Sequence, residues 1–194
     1  CLTCLALVLS SCVKGSDNQT SGDDGQNNTP EIVEPAYTPE FFTGYEKTDK
    51  SNPRAVAVMV NNITAARPQR GLSQADILVE SKVEGGITRF MAIFSDYENV
   101  TGDIGPVRSG RDQFLQLAMP WHALYIHVGR SGVTQTMIDT YEYNDSDADG
   151  YVKNLTYRDQ NRLNQGYATE HTAFTTADLL NTLFTKYDYE TTYK

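Results

Sequence analysis

Cysteine is missing from the chain after residue 12, and positive charge is scarce throughout. The only cysteines are Cys1, Cys4 and Cys12, so residues 13–194 can form no disulfide among themselves and offer no thiol nucleophile. The 16 Lys and Arg residues are outnumbered by 25 Asp and Glu, which gives a net charge of −9. Nucleic acid is excluded as a partner because phosphate backbones require a basic footprint, and attraction to an anionic membrane surface is disfavoured. An anionic ligand would have to be held by a local group of arginines.

No apolar run is long enough to cross a bilayer as a helix. The run at Leu2–Leu9 is short and is followed by Ser10 and Ser11, directly before Cys12. This pattern is typical of a bacterial lipobox, in which the cysteine carries acyl chains such as palmitate and becomes the mature N-terminus. The tail of an ordinary signal peptide is the alternative. The pattern therefore predicts an extracytoplasmic protein that a lipid anchors to the cell membrane.

Composition divides the chain into three segments. Residues 1–12 are predicted to be the remnant of a signal peptide with its lipobox, since no initiator Met and no basic region precede them. Residues 13–39 are rich in Asn, Gly, Ser, Asp and Pro, and are predicted to form a flexible tether because they cannot bury enough apolar surface. Residues 40–194 are predicted to form a globular domain. Because the sequence stops at Lys194 without a capping signal, a C-terminal part is expected to be missing.

Apolar periodicity predicts a mixed sheet with helices. The predicted strands are 54–61, 77–84, 87–95 and 123–128, and the predicted helices are 109–119, 131–141 and 176–184. The strand at 54–61 is a continuous apolar run, which is typical of a central strand. Hairpins mixed with strand–helix units favour an α/β domain, with α+β as the alternative.

The hairpin between 77 and 95 carries charges close to its turn. A two-residue turn at Gly85-Gly86 places Arg89 opposite Lys82, with Glu80 and Glu84 diagonal to Arg89 on the same face. One interpretation is an ion-pair ladder on a solvated face. The other is a carboxylate–arginine site, in which Glu80 and Glu84 form a pair for acid–base chemistry.

The residues that lead into the first predicted helix read IGPVRSGRD. Ser109 is predicted to be the N-cap, whereas Arg108 and Arg111 oppose the helix dipole unless they hold an anion. That anion is either a ligand phosphate, sulfate or carboxylate, or a protein carboxylate from Asp76, Glu80 or Glu84. The candidate ligand-binding residues are Arg89, Arg108, Ser109, Arg111 and Arg130.

A second strand–loop–helix unit runs from His127 through Arg130 and Ser131. Its loop resembles a nucleophile elbow, but Val133 stands where the Gly-x-Ser-x-Gly motif requires glycine. A serine hydrolase using Ser131 with His127 or His171 is one hypothesis. A capping role for Ser131 and a structural role for the histidine form the alternative.

A calcium site is predicted from the DxDxDG spacing after residue 144. Its ligands would be Asp145, Asp147 and Asp149, with the backbone carbonyl of Tyr151. Thr156 stands where an EF-hand requires a bidentate glutamate, so only a looser Ca²⁺ site fits. An acidic solvated loop is the alternative, and no other cofactor is predicted.

Three blocks of sequence carry a family resemblance: RPQRGLSQADILVE, VEGGITRF and IGPVRSGRDQF. They resemble the blocks of the YerB-like lipoproteins, a family of unknown function, and the resemblance runs from about Arg54 to Phe184. It implies a layered β/β/α sandwich. It also implies an Arg-Asp pair at Arg158 and Asp159 and a histidine at His171, although the residues that flank His171 differ from the Pro-His-Asn-like motif of the family.

Two functional hypotheses follow. The first is a binding or scaffolding lipoprotein of the cell envelope, whose partner is a wall polymer or an envelope protein. The second is a hydrolase or lyase that acts on an anionic wall polymer or glycan. Its candidate catalytic residues are Glu80, Glu84, His127 and His171. The enzyme is favoured if Glu80, Glu84 or His127 shares a cleft with Arg108 and Arg111, and disfavoured if these groups are scattered.

Overall fold

The computed structural model describes residue 44 and residues 53–147 and 155–192. All of them belong to one unit of the chain, residues 36–194. The predicted lipobox at Cys12 and the predicted tether at residues 13–39 lie outside the described residues.

Seven strands and four α-helices lie within the described residues. The strands are β1 (Val56–Asn61), β2 (Ile77–Lys82), β3 (Thr88–Phe94), β4 (Leu124–His127), β5 (Asp145–Asp147), β6 (Tyr157–Arg158) and β7 (Ala173–Phe174). The α-helices are α1 (Asp112–Ala118), α2 (Gly132–Tyr141), α3 (Gln160–Asn164) and α4 (Ala177–Tyr187). Short 3-10 turns lie at Thr64–Ala66, Leu72–Gln74, Glu84–Gly86, Tyr97–Asn99, Met119–Trp121 and Thr169–His171.

The main sheet has five strands in the order β2-β3-β1-β4-β5. The β2–β3 and β3–β1 pairs are antiparallel, and the β1–β4 and β4–β5 pairs are parallel. Every residue of β1 is buried, because the strand is central and both of its faces are covered. The mixed sheet and the α/β class are as predicted from the sequence.

The two faces of the main sheet are covered by different elements. On one face, Val56, Val58 and Val60 share a core with residues of α4 and β7. On the other face, Ala57 and Met59 share a core with residues of α1 and α2. The main sheet is therefore a middle layer between two helices and a second layer that contains the small β6–β7 sheet and α4. This layering agrees with the expectation from the resemblance.

The hairpin turn has three residues rather than the predicted two. It consists of Glu84–Gly86, and the N–H of Val83 donates to the carbonyl of Ile87 across it (2.8 Å). Gly85 and Gly86 have φ values of 70° and 75°, which only glycine adopts at little cost. Two adjacent glycines are thus compatible with either turn length, and the sequence does not choose between them.

The extra turn residue shifts the register of the hairpin by one residue. Arg89 pairs with Ser81, and Glu80 pairs with Phe90. Because side chains alternate along a strand, this shift moves Glu80 to the face opposite Arg89. The prediction that Glu80 and Glu84 lie diagonal to Arg89 on one face, as an acid–base pair, is therefore wrong.

Helix α1 begins at Asp112, and Ser109 is not its N-cap as predicted. The N-cap residue is Arg111, whose side chain makes no capping hydrogen bond. The preceding backbone is bound to the sheet instead, since the N–H of Arg108 donates to the carbonyl of Met59 (2.9 Å). These residues stay extended because the sheet, not the helix, takes their hydrogen bonds.

The other predicted helices begin within one residue of the predicted positions, at Gly132 and Ala177. Ser131 caps α2 by accepting from the N–H of Thr134 (3.1 Å), and Thr176 caps α4 by accepting from the N–H of Leu179 (3.4 Å). These are ordinary N-cap contacts. Within the ranges that the structure describes, no helix has the length and apolar character needed to cross a bilayer.

Candidate functional site

Residues 106–110 fill the space between the carboxyl ends of β1 and β4. Val107 forms a β-bridge with Val60, and the N–H of Gly110 donates to the carbonyl of Gly129 (2.9 Å). Ligands of α/β proteins bind at the carboxyl ends of strands. The arginines on either side of Gly110 are thus held at the edge of the sheet where a ligand is expected.

Arg111 and Glu84 form a bidentate ion pair at this edge. The Nε of Arg111 donates to Oε2 of Glu84 (2.8 Å), and its Nη2 donates to Oε1. The Arg111 side chain is 15% exposed, whereas that of Glu84 is 59% exposed. The hydrogen bonds from Arg111 outweigh the desolvation of the carboxylate and lower the pKa of Glu84 to about 2. Glu84 is therefore ionised at neutral pH.

The other two carboxylates proposed as partners of the arginines bind elsewhere. Asp76 accepts from the N–H (2.7 Å) and the hydroxyl (2.9 Å) of Ser95. Glu80 accepts from the side chains of Asn62 (2.8 Å) and Thr88 (2.7 Å). Among the three, only Glu84 supplies the protein carboxylate that the sequence offered as an alternative to a ligand.

Arg89 lies next to this pair and is almost fully buried. Its Nη1 donates to the carbonyl of Ser109 (2.6 Å), and its Nη2 lies 3.4 Å from Oε1 of Glu84. Its Nε is buried and makes no hydrogen bond within the part of the chain that the structure describes. Burial, and then repulsion from Arg111, lower the pKa of Arg89 to about 10, so its charge is held at a cost in free energy.

Arg108 completes a group that we call the arginine cluster, Arg89, Arg108 and Arg111. Its Nη2 lies 3.7 Å from Oε1 of Glu170, a carboxylate that is 53% exposed. Its Nε is also buried without a hydrogen bond to any described residue. Because Arg108 and Arg111 both lower the pKa of Arg89, the three guanidinium groups act on one another electrostatically.

His171 lies beside Arg108 and is nearly buried. Its Nδ1 is 3.1 Å from Nδ2 of Asn61, and its Nε2 is 3.6 Å from Oε1 of Glu170. Because Oδ1 of Asn61 accepts from the N–H of Ile63 (3.3 Å), its Nδ2 is the donor to Nδ1, and the ring proton is on Nε2. Burial lowers the pKa of His171 and outweighs the attraction of Glu170, which raises it, and repulsion from Arg108 lowers it further. The imidazole is therefore neutral at neutral pH.

A groove of about 290 Å³ begins at His171. Its lining residues are Ala65, Gln165, Gly166, Tyr167, Ala168 and His171. Arg162 contacts residues of the groove. Its Cζ lies 4.9 Å from the ring centre of Tyr167, and its Nη1 donates to the carbonyls of Ala66 (2.9 Å) and His171 (3.1 Å). The groove and the arginine cluster are thus joined through His171 and Glu170.

The second strand–loop–helix does not join this site. His127 is fully buried, with Nδ1 2.9 Å from the carbonyl of Gly129 and Nε2 2.9 Å from Oδ2 of Asp145. The hydroxyl of Ser131 is 2.8 Å from that of Thr134 and caps α2. Ser131 and His127 therefore have structural partners, as the non-catalytic interpretation predicts, and the Ser131–His127 hydrolase hypothesis has no geometric support.

Arg130 lies just before α2, and its Nε donates to Oε1 of Gln135 in that helix. Its described side-chain contact is thus with α2 and not with the arginine cluster.

The predicted calcium ligands are only partly described. Asp145 and Asp147 lie in β5, and Asp145 is the partner of His127. Asp149 and Tyr151 lie outside the described residues. No group of three or more His, Cys, Asp or Glu side chains within the described ranges could hold a metal ion. Calcium binding remains a prediction.

The sequence patterns did not single out Asn61, Arg162 or Glu170. The position of Asn61 could have identified it, because it is the last residue of a strand whose other residues are all apolar. A polar residue at the carboxyl end of such a strand lies at the edge of the sheet where ligands bind. Glu170 and Arg162 come close to the site through long-range contacts that no local pattern encodes.

Comparison with known proteins agrees with the fold and the blocks of sequence. The family model described as "Protein of unknown function (DUF3048) N-terminal domain" matches residues 42–190. YerB of Bacillus subtilis (strain 168), whose name describes it as a lipoprotein, is 46% identical over 91 residues, which are 46% of this chain and 27% of that protein. The crystal structure of Bacillus subtilis YerB matches with a TM-score of 0.67 and 31% identity, covering 80% of this chain and 51% of that one.

The chain spans about half of the solved YerB chain and about a quarter of the curated YerB protein. The family match nevertheless covers all the elements that build the site, from β1 to α4. On this evidence the chain belongs to the DUF3048 family of YerB-like proteins, of which it carries the N-terminal domain.

Proposed function

We propose that this domain is a binding module of the cell envelope that holds an anionic ligand at the arginine cluster. The observation that carries the proposal is the set of unused donors: the Nε atoms of Arg89 and Arg108 are buried without a hydrogen bond to any described residue. An anion that reached either of these groups would accept a hydrogen bond from it.

The charge balance of the site supports an external anion. Three arginines are paired with two carboxylates, Glu84 and Glu170, so one positive charge is left over. Leaving a buried donor unbonded costs about 1–3 kcal/mol, and hydrogen bonds between guanidinium groups and anions are among the strongest in proteins. In a chain with a net charge of −9, a local positive site of this kind favours a specific ligand over general attraction.

Anchoring at the membrane is part of the same proposal. The sequence Leu9-Ser10-Ser11-Cys12 predicts removal of a signal peptide and acylation of Cys12, and the name of the relative YerB describes a lipoprotein. A domain held at the outer surface of the cell membrane would meet wall polymers and envelope proteins. Teichoic acids and peptidoglycan supply phosphate and carboxylate groups, which are the ligands that arginine binds best.

Co-sedimentation with purified cell wall tests the proposal. The full chain is incubated with peptidoglycan that carries teichoic acid and with peptidoglycan stripped of it, and the bound fraction is measured. We expect binding that Arg108→Ala weakens at least tenfold and that added salt reduces. Lys186→Ala removes the same charge from an exposed position on α4 and should bind as the unaltered chain does. Equal binding by the two variants would contradict the proposal.

One observation favours an enzyme as the second candidate function. The neutral imidazole of His171 directs Nε2 towards Glu170 beside Arg108, and a groove opens next to it. A hydrolase or lyase for an anionic wall polymer or glycan could use this histidine as its acid or base. Mass spectrometry of the supernatant from the same incubation decides this. Soluble fragments that disappear with His171→Gln would establish the enzyme, whereas binding without fragments would support the binding module.

A further inference from the structure

Glu84 occupies the arginine cluster from an exposed turn. It is the first residue of the Glu84–Gly86 turn, and a Cβ added to Gly85 or Gly86 would meet no described atom within 4 Å. The turn therefore projects from the protein with little packing around it. A carboxylate carried on such a turn is held mainly by the guanidinium groups that it contacts.

The contacts of Glu84 are those of a bound ligand. One carboxylate oxygen accepts from Nε of Arg111, and the other accepts from Nη2 of Arg111 and lies near Nη2 of Arg89. A planar, bidentate contact is the preferred geometry of a carboxylate with an arginine guanidinium. Glu84 thus shows which chemical group fits between Arg89 and Arg111.

A carboxylate with a purely structural role looks different in this protein. The side chain of Asp159 is 7% exposed, pairs with Arg70 (2.7 Å), and caps α3 by accepting from the N–H groups of Asn161 (2.9 Å) and Arg162 (3.3 Å). It connects several elements at once. The side chain of Glu84, in contrast, is 59% exposed, and its hydrogen bonds to other described residues go to Arg89 and Arg111.

We propose that Glu84 is an internal ligand, which a carboxylate-bearing ligand displaces from the arginine cluster. This inference rests on the proposed function, because it assumes that the cluster binds an external anion. Glu84 is tethered next to its site, so its effective concentration there is on the order of millimolar or more. An external carboxylate must compete with it, and only a ligand with further contacts, such as one made to Arg108, would succeed.

The test compares the unaltered chain with Glu84→Gln, using D-galacturonate as the carboxylate probe. Inorganic phosphate is the second probe and D-galactose the uncharged control. Binding is measured by calorimetry with the full chain. We expect Glu84→Gln to bind galacturonate at least tenfold more tightly than the unaltered chain, because the competing carboxylate is gone. Equal or weaker binding by Glu84→Gln would overturn the inference. A gain for phosphate alone would overturn the carboxylate as the ligand class.

A second variant keeps the test decisive if Glu84→Gln fails to fold. Glu84→Asp retains the charge, but its side chain is one methylene shorter and reaches Arg111 less well from the same backbone, so the affinity of this variant for galacturonate should lie above that of the unaltered chain. No gain with this variant would count against the inference.

Failure of the proposed function would look different. In that case neither probe would bind to any variant, and the unaltered chain would not sediment with wall polymer in a manner that depends on Arg108.

Discussion

The side-chain amide of Asn61 donates to Nδ1 of His171 across 3.1 Å, and this bond joins the end of the central strand to the turn before β7. The two residues are 110 positions apart in the sequence. The bond fixes the tautomer of a neutral histidine and turns Nε2 towards Glu170 and Arg108. The carboxyl end of β1 thereby becomes part of the candidate site.

The first prediction concerns the pH dependence of stability at His171. Burial lowers the pKa of His171 below its ordinary value of 6.5, so below that pH the unfolded chain binds the proton more readily than the folded one. The free energy of unfolding should therefore hold above pH 6.5 and fall as the pH drops below 6.5. Urea denaturation at a series of pH values should show this loss, and His171→Gln should reduce it. His122→Asn removes an imidazole outside the site and should leave the loss unchanged.

The second prediction concerns the backbone that carries Arg108 and Arg111. A Cβ at Gly110 would lie 2.9 Å from Cε1 of Tyr125 and 3.2 Å from Cγ of His127, so Gly110→Ala forces the loop to move. Overpacking of this kind costs about 1–3 kcal/mol, and we expect wall binding to fall with stability.

Gly132→Ala is the matched control for Gly110→Ala. Gly132 is the first residue of α2, and an added Cβ there meets no described atom within 4 Å. This variant should be as stable as the unaltered chain or slightly more stable. Thermal unfolding and co-sedimentation compare the two, and a Gly110→Ala chain with unchanged binding would show that the loop position does not matter.

The sequence predicted the elements of this fold better than their relative placement. Continuous apolar runs identified β1 and β4, and the paired glycines identified the hairpin, because these are local patterns. The predicted register of the hairpin was wrong, because a Gly-Gly pair permits turns of two or three residues. The turn length decides which face of the sheet each side chain of β2 occupies relative to β3. The predicted start of α1 was wrong because the N–H of Arg108 donates to a carbonyl of β1. The sequence patterns that mark the start of a helix do not indicate such a contact.

The arginines of the candidate site and one of their partners, Glu84, were among the predicted candidates, whereas Glu170 and Asn61 were not. Arg108 and Arg111 stand out because cations before a helix require an anion, and Glu84 was one of three carboxylates that could supply it. Glu170 and Asn61 meet Arg108 and His171 only after the whole sheet has formed. Their roles depend on long-range packing, which a single sequence does not encode in any local spacing.

The third prediction concerns Arg162, which is 3% exposed. Its guanidinium donates to the carbonyls of Ala66, Pro68 and His171 and lies 4.8 Å from the ring centre of Phe174. Arg162→Met leaves these buried carbonyls without a donor, and we expect the free energy of unfolding to fall by about 3 kcal/mol. Urea denaturation with an unchanged slope would measure this loss.

Arg158→Met is the control for Arg162→Met, because it removes the same charge from a half-buried position on β6. Its effect on the free energy of unfolding should be about 1 kcal/mol or less. Similar losses for the two variants would show that the charge, rather than the buried contacts of Arg162, is what stabilises the fold.

The fourth prediction separates the capping role of Ser131 from a catalytic one. Its hydroxyl accepts from the N–H of Thr134, so Ser131→Ala should lower the free energy of unfolding by about 1 kcal/mol, the usual value of an N-cap. Binding to wall polymer should not change, because Ser131 makes no contact with the arginine cluster among the hydrogen bonds of the described residues. Denaturation and co-sedimentation of the same preparation test both expectations. Loss of wall-fragment release with unchanged stability would instead identify Ser131 as a nucleophile, because a cap cannot be removed without a cost in stability.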